Sequence, residues 1–269
     1  MSRLLVISVI ISLVVSALIL YSPPIQTAHA QAVISDPTLR AEVITGGISF
    51  PTSMAFLDDN NLLILEKEGA VRLVSNGVMQ DAPVLQVPVD SKNERGLLGI
   101  AISRAENNTA PSSTANAQSA TVFLYFTEQG EEDLRNRVYK YQWDGQSLIN
   151  PTLVLDLPSG PGTNHQGGKM VMGSDGYLYV VVGEMQREGQ LQNIQDGPAP
   201  DDTGVIFRIN PEDGSAANGN PFQGDAVDRY FAYGVRNSFG LAFDPQTGTL
   251  WDTENGEDSY DEVNIVDPG

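Results

Sequence analysis

Met170-Val171-Met172-Gly173, followed after a short turn by Tyr177-Leu178-Tyr179-Val180, is typical of two β-strands joined by a tight connection. The same plan recurs at three other places: 54–57 before 62–65, 98–101 before 123–126, and 241–244 before 249–251. No convincing helical periodicity follows the N-terminal segment, and β-branched or aromatic runs between Gly, Asp, Asn and Pro clusters predict strands at 62–67, 71–74, 122–127, 137–143, 177–182 and 205–210. Four degenerate copies spaced along one chain predict the blades of an all-β propeller.

The N-terminal segment is typical of an export signal. Arg3 precedes an apolar run from Leu4 to Leu20, and the small-residue pattern Ala28-His29-Ala30 follows. We therefore expect residues 1–30 to be a signal peptide, with cleavage after Ala30. The apolar run approaches the roughly 20 residues that cross a bilayer, so an uncleaved membrane anchor is the alternative. Either way, we expect residues 31–269 to be secreted or extracytoplasmic and to form one domain.

The charge of the chain excludes some partners. The signal holds Arg3 and no acidic residue, so removing it changes the formal charge from −19 to −20, with 14 basic against 34 acidic residues. Such a surface repels phosphate backbones, which argues against nucleic-acid binding, and it attracts divalent cations. The chain contains no cysteine, so disulfides cannot stabilise it in an oxidising compartment.

One histidine is the first candidate for proton chemistry. His165 lies in Asn164-His165-Gln166-Gly167-Gly168, and the chain's other histidine, His29, belongs to the expected signal. An unperturbed imidazole titrates near neutrality, so it can accept a proton at working pH without a metal. The alternative is a structural histidine held by hydrogen bonds in a turn.

Five ordered motifs carry a family resemblance. They are Glu94-Arg95-Gly96-Leu97-Leu98-Gly99, Asn164–Gly168, Gly173–Val180, Gly204–Pro211 and Gly234–Leu241, the last flowing into Glu254-Asn255-Gly256 and Asp261–Asn264. In this order, from about Ser49 to the last residue, the chain resembles the soluble PQQ-dependent aldose sugar dehydrogenases, also called the glucose/sorbosone dehydrogenase family. The resemblance implies a six-bladed propeller, of which about four blades are present here, incomplete at the C-terminus.

The resemblance implies roles for the site residues. His165 matches the general base that takes the proton from the sugar's anomeric hydroxyl, and Arg236 matches an arginine beside the quinone carbonyls. Asn237 matches a neighbouring cofactor contact. By resemblance, Glu94 stands where relatives often carry glutamine near the cofactor, and a carboxylate there would repel an acidic quinone unless it is protonated or bridged by an ion. Gly167 and Gly168 are expected to let substrate and cofactor approach the backbone closely.

An acidic segment near the end of the chain predicts calcium binding. Residues 254–262 hold five carboxylates, and hard cations prefer carboxylate and carbonyl oxygens. By resemblance, the backbone oxygens of Gly256 and Glu257 match those that hold a calcium bridging to the cofactor, and Glu262 matches a ligand of a structural calcium. The alternative is a solvated acidic turn.

The function implied is that of an exported quinoprotein that oxidises aldoses to lactones with PQQ and calcium. Its expected partners are an aldose, an external electron acceptor and, as an open alternative, a second copy in a homodimer. Two rival functions are a non-catalytic extracellular binding propeller and a calcium-dependent lactonase. Phe239 replaces a polar residue common in the family's active site, which is expected to alter cofactor contacts or substrate preference. The last two blades of the family have no counterpart here, and an inactive chain is the expectation if it is truncated.

Overall fold

The computed structural model describes residues 34–104, 120–130, 133–187, 197 and 199–269, and the expected signal lies outside these ranges. In the described residues the regular structure is β-strand: β1 Pro51–Phe56, β2 Asn61–Glu66, β3 Ala70–Ser75, β4 Val78–Met79, β5 Leu85–Gln86, β6 Leu97–Arg104, β7 Ala120–Glu128, β8 Arg135–Trp143, β9 Leu148–Pro158, β10 Met170–Met172, β11 Leu178–Val182, β12 Val205–Ile209, β13 Tyr230–Tyr233, β14 Ser238–Phe243, β15 Leu250–Glu254 and β16 Glu262–Val266. A search of those same residues finds no helix long and apolar enough to cross a membrane.

The strands form four antiparallel sheets in chain order. Blade 1 has the order β1-β2-β3-β4, with β5 also paired to β3; blade 2 is β6-β7-β8-β9; blade 3 is β10-β11-β12-β13; blade 4 is β14-β15-β16. The first strand of each blade contacts the first strand of the next, β1 with β6, β6 with β10, and β10 with β14. Consecutive up-and-down sheets joined through their first strands are blades of a β-propeller, and the predicted fold class is confirmed.

Apolar faces of neighbouring blades pack together in three clusters. One joins blades 1 and 2, a second joins blades 2 and 3, and a third joins blades 3 and 4. In the second cluster, Tyr125 of β7 and Phe207 of β12 are fully buried. The propeller lies within one compact unit, Ile44–Gly269, and the described residues before it form no strand.

The outer faces of the first and last blades remain partly open. Met54 and Phe56 of blade 1 are 64% and 58% exposed, and Val263 and Ile265 of blade 4 are 69% and 56% exposed. Apolar side chains of this size, grouped on two sheet faces, favour contact with further protein surface.

The four repeats detected in the sequence are the first two strands of the four blades. For example, Met170 pairs with Val180 and Met172 with Leu178. Gly176, at φ 82°, completes the turn before Leu178, in a region that side chains with a Cβ rarely adopt. The Oδ1 atom of Asp175 accepts a hydrogen bond from the Tyr177 amide at 3.2 Å, which closes the same turn.

Candidate active site

Three loops that precede inner strands meet through one carboxylate. Glu94 lies before β6, His165 before β10 and Asn237 before β14. Oε2 of Glu94 accepts a hydrogen bond from the His165 backbone N–H at 2.7 Å and another from Nδ2 of Asn237 at 3.0 Å. The structure therefore brings together three of the predicted site residues, although they are far apart in sequence.

The His165 imidazole is held by a carboxylate that the sequence analysis missed. Nδ1 of His165 is hydrogen bonded to Oε1 of Glu184, and the side chains are 17% and 2% exposed respectively. The same carboxylate also accepts backbone N–H bonds from Gln186, at 3.0 Å, and from Arg187, as an ionised carboxylate does. Because an ionised carboxylate only accepts, the proton of neutral His165 lies on Nδ1 and the lone pair lies on Nε2.

Glu184 is positioned by the strand that precedes it. It follows β11, and its backbone N–H donates to the carbonyl oxygen of Arg236 at 2.9 Å. The carbonyl of His165 accepts from the Met185 amide at 3.3 Å, so the two loops are also joined through their backbones. The sequence offers one weak signal for Glu184, namely a single carboxylate that follows the apolar strand β11 after one glycine.

A buried polar network fixes the loop that carries His165. Gln166 is fully buried, and its Nε2 donates to the carbonyl oxygens of Gly162 at 3.2 Å and Asn164 at 3.1 Å. Its Oε1 accepts from Nδ2 of Asn136 at 2.8 Å, and Oδ1 of Asn136 accepts from the Thr127 hydroxyl at 2.7 Å. Satisfied buried networks of this kind hold one backbone conformation, here with His165 at φ 59°.

The two glycines after Gln166 serve packing, and the expectation that they admit a ligand is wrong for Gly168. A Cβ at Gly168 would lie 2.7 Å from the Tyr125 ring, so protein atoms already fill that space. A Cβ at Gly167 would lie 2.8 Å from the Gly183 nitrogen, although Gly167 also lines a cavity. Both have positive φ, 64° and 94°, which favours glycine independently of any ligand.

Arg236 lies beside these residues and contacts the acidic segment. Its Nη1 donates to the carbonyl oxygens of Asn255 at 2.8 Å and Gly256 at 3.1 Å, and its backbone N–H donates to Glu254. Among the described residues, Nη1 is the side-chain nitrogen of Arg236 that is hydrogen bonded. The rest of the guanidinium can therefore meet an anionic or carbonyl oxygen.

A cavity of about 340 Å³ adjoins Glu94, and its lining includes two cations. Its lining residues are Thr52, Lys67, Asn93, Glu94, Leu98, Gly167, Lys169 and Phe239. Nζ of Lys169 donates to the carbonyl oxygens of Thr52 at 2.6 Å and Leu98 at 3.1 Å, so it joins blades 1, 2 and 3. Burial lowers the pKa of Lys169 to about 8. Phe239, predicted to alter the site, is 46% exposed and forms part of this wall.

The predicted calcium residues are not all joined to this network. Gly256 is, through Arg236, whereas Glu257 and Glu262 are exposed. Glu262 lies opposite Glu254 in the β15–β16 pair. Burial raises the pKa of Glu254, and the negative charges of Asp252 and Glu262 raise it further. No cluster of three or more Asp, Glu or His side chains suited to a metal occurs among the described residues, and a site built on backbone carbonyls stays a prediction.

The fold and the site define a β-propeller in which loops between the blades gather a carboxylate–imidazole pair and an arginine. The family model for Glucose / Sorbosone dehydrogenase matches residues 48–269, and the chain belongs to this family. The predicted resemblance is confirmed. The chain is 28% identical over 240 residues to aldose sugar dehydrogenase YliI of Escherichia coli, covering 86% of this chain and 60% of that protein.

Two further relatives agree with this assignment. Quinoprotein glucose dehydrogenase B of Acinetobacter calcoaceticus is 27% identical over 258 residues, covering 85% of this chain and 50% of that protein. The PQQ-bound form of an aldose sugar dehydrogenase from Streptomyces coelicolor has a TM-score of 0.67 and 31% identity, covering 85% of this chain and 63% of that chain. The chain thus spans 50–60% of the length of these curated relatives.

Proposed function

We propose that the protein is an exported PQQ-dependent dehydrogenase that oxidises aldoses to lactones and passes the electrons to an external acceptor. The observation that carries the proposal is the His165 imidazole, whose Nδ1 is held by buried Glu184 beside Arg236 and Asn237. Family membership and the PQQ-bound relative from Streptomyces coelicolor support the choice of cofactor. Export is proposed from residues 1–30 alone.

The residues present fit an anionic quinone. Among the described residues, Nε and Nη2 of Arg236 have no hydrogen-bond partner and can meet a ligand oxygen, and Lys67 and Lys169 add positive charge to the adjoining cavity. Oδ1 of Asn237 is buried without a hydrogen-bond partner among the described residues, which is expected where a ligand completes the site. The Glu94 carboxylate opposes an anion, and the two neutral N–H donors from His165 and Asn237 offset only part of its charge, so an ion or a proton at Glu94 is part of the proposal. Arg236, Asn237 and the two lysines would hold the cofactor.

His165 is placed to remove a proton from the substrate. With the proton on Nδ1 fixed toward Glu184, Nε2 can accept the proton of the sugar's anomeric hydroxyl, and Glu184 stabilises the imidazolium that forms. Loss of that proton lets the C1–O bond become a carbonyl as hydride leaves C1, which yields the lactone. When bound, PQQ supplies the two-electron acceptor for that hydride. Arg236 places a fixed cation where negative charge develops on oxygen.

Calcium is part of the proposal. Glu262 lies opposite Glu254 in the β15–β16 pair, and a divalent cation bound near Glu262, Gly256 and Glu257 would offset the repulsion between these two carboxylates. In the present arrangement the oxygen of Gly256 accepts from Arg236, so a calcium at that oxygen requires the guanidinium to turn toward another acceptor.

The test is a titration with PQQ in the presence of calcium, followed by aldose-dependent dye reduction. The gene product, read to its stop codon, is assayed beside this chain. Arg236→Ala should weaken PQQ binding and lower turnover, whereas Arg135→Ala, at a surface ion pair with Asp156, should change neither. Lactone hydrolysis that needs calcium but no quinone would instead support the lactonase alternative, and PQQ binding without turnover would support a binding propeller.

A further inference from the structure

We infer that Glu94 is a positioning residue, which holds His165 and Asn237 in one fixed arrangement across three blades. This role differs from the cofactor contact implied by the family resemblance. Its activity readout depends on the proposed function, but its structural readout does not.

The first argument is geometric. A single oxygen, Oε2, accepts from the His165 backbone at 2.7 Å and from the Asn237 side chain at 3.0 Å. The Glu94 backbone N–H in turn donates to the Thr163 carbonyl at 3.2 Å, so Glu94 contributes two of the hydrogen bonds that join the β5–β6 and β9–β10 loops. His165 has φ 59°, a conformation that residues with a Cβ seldom adopt without support from their surroundings.

The second argument concerns the orientation of the Asn237 amide. A carboxylate cannot donate, so Nδ2 must face Glu94 and Oδ1 must face away. Asn237 is only 2% exposed, and its Oδ1 has no partner among the described residues. Glu94 thereby leaves a buried acceptor that a ligand O–H or N–H can satisfy, because leaving such an atom unpaired is costly. A sugar hydroxyl or a ring N–H has this chemistry, whereas a carboxylate does not.

Two substitutions separate hydrogen bonding from charge. Glu94→Gln keeps a carbonyl oxygen that can accept both bonds, and Glu94→Ala removes the acceptor. We expect Glu94→Ala to lower turnover on the order of 10- to 100-fold, as small misplacements of catalytic groups do, and Glu94→Gln to recover most of that loss. The matched controls are Glu68→Ala and Glu68→Gln, which change an exposed glutamate in the β2–β3 turn and should leave turnover at the wild-type level.

The structural readout uses the single histidine outside the N-terminal segment. In a chain with His29→Gln and no histidine tag, selective ¹⁵N labelling of histidine gives one backbone amide and one imidazole in the NMR spectrum, both from His165. We expect Glu94→Ala to move the His165 amide proton upfield, because it loses a short bond to a carboxylate, and Glu94→Gln to leave it near the wild-type position. The shifts are measured without PQQ or sugar.

The outcomes are distinct. An unchanged His165 amide in Glu94→Ala, or equal turnover of the Ala and Gln variants, would overturn the positioning role. If the wild type shows no dehydrogenase activity, the proposed function fails, and the NMR comparison still decides the role of Glu94. If Glu94→Ala does not fold, the double variant Glu94→Gln/Asn237→Ala replaces it. Since it lacks the Asn237 donor, which shares the same acceptor oxygen, a His165 amide that moves downfield of the Glu94→Gln position supports bridging by one acceptor, whereas an unchanged amide overturns the positioning role.

Discussion

Lys169→Met should change how stability depends on pH. The Lys169 ammonium donates hydrogen bonds to the carbonyl oxygens of Thr52 in blade 1 and Leu98 in blade 2. Burial lowers the pKa of Lys169 from the ordinary 10.5 to about 8. A lowered folded-state pKa means that the unfolded chain binds more protons between these two values. Stability should therefore rise with pH through this window, and the gain should be lost as pH falls through the folded pKa.

The magnitude follows from the two pKa values. With a pKa of about 8 folded and 10.5 unfolded, the free energy of unfolding should rise by about 2 kcal/mol between roughly pH 7 and pH 9.5. Urea denaturation at several pH values measures the difference between wild type and Lys169→Met. The methionine leaves two carbonyl oxygens without a donor, which lowers the free energy of unfolding by about 1–3 kcal/mol at every pH. The slope of the free energy of unfolding against pH is therefore the quantity that reports on Lys169.

The control for this measurement is Lys140→Met, which removes a lysine that forms an ion pair with Glu212. Neither residue lines the cavity. It should keep the wild-type rise. Parallel stability curves for wild type and Lys169→Met would refute the reasoning, because they would mean that Lys169 titrates alike in the folded and unfolded states.

Gln166→Leu should lower the free energy of unfolding by about 3 kcal/mol in urea denaturation, because it leaves the buried amide of Asn136 and the carbonyls of Gly162 and Asn164 without a partner. A loss below about 0.5 kcal/mol would mean that this hydrogen-bond network does not stabilise the fold. Calcium should raise the Tm by binding the folded state, and Glu262→Gln should diminish that rise in calorimetry; an unchanged Tm with calcium or chelator would make the segment solvated surface. Intact-mass analysis of the exported protein should begin at Gln31 or within a few residues, whereas a product that retains Met1 in the membrane would indicate an anchor.

The blades were predictable because their signal is local. The repeated pairs, such as Met170–Met172 with Leu178–Val182, are apolar runs separated by a short turn. Each strand of such a pair hydrogen bonds to the next strand in the chain, so no residue distant in sequence is needed to predict it. The strands β4, β5, β9 and β13 were not predicted. Runs as short as β4, β5 and β13 carry little periodicity, whereas β9 is 11 residues long but contains Asn150 and Pro151, which are typical of turns. The family resemblance predicted His165, Arg236 and Asn237 as site residues, although it did not indicate which hydrogen bonds position them.

The missing parts of the site depend on tertiary contacts. Glu184 is an ordinary carboxylate in the sequence, and the antiparallel pairing of β10 with β11 brings the two loops at the same end of blade 3 together, so that Glu184 lies against Nδ1 of His165. Lys169 follows His165 by four residues, but its burial among carbonyl oxygens of other blades has no local sequence signal. Gly168 shows the converse, because a glycine attributed to ligand access is required by the Tyr125 ring.

The most direct test of the central claim is the turnover of His165→Asn in the full gene product loaded with PQQ and calcium. Asparagine cannot act as a base at neutral pH, so aldose-dependent dye reduction should fall on the order of 100- to 10,000-fold, while PQQ affinity in an absorbance titration stays close to that of the wild type. The loss should appear in kcat, because the proton is removed only in the reaction step. Near-normal turnover in His165→Asn would contradict the account and leave His165 as a structural residue of its turn.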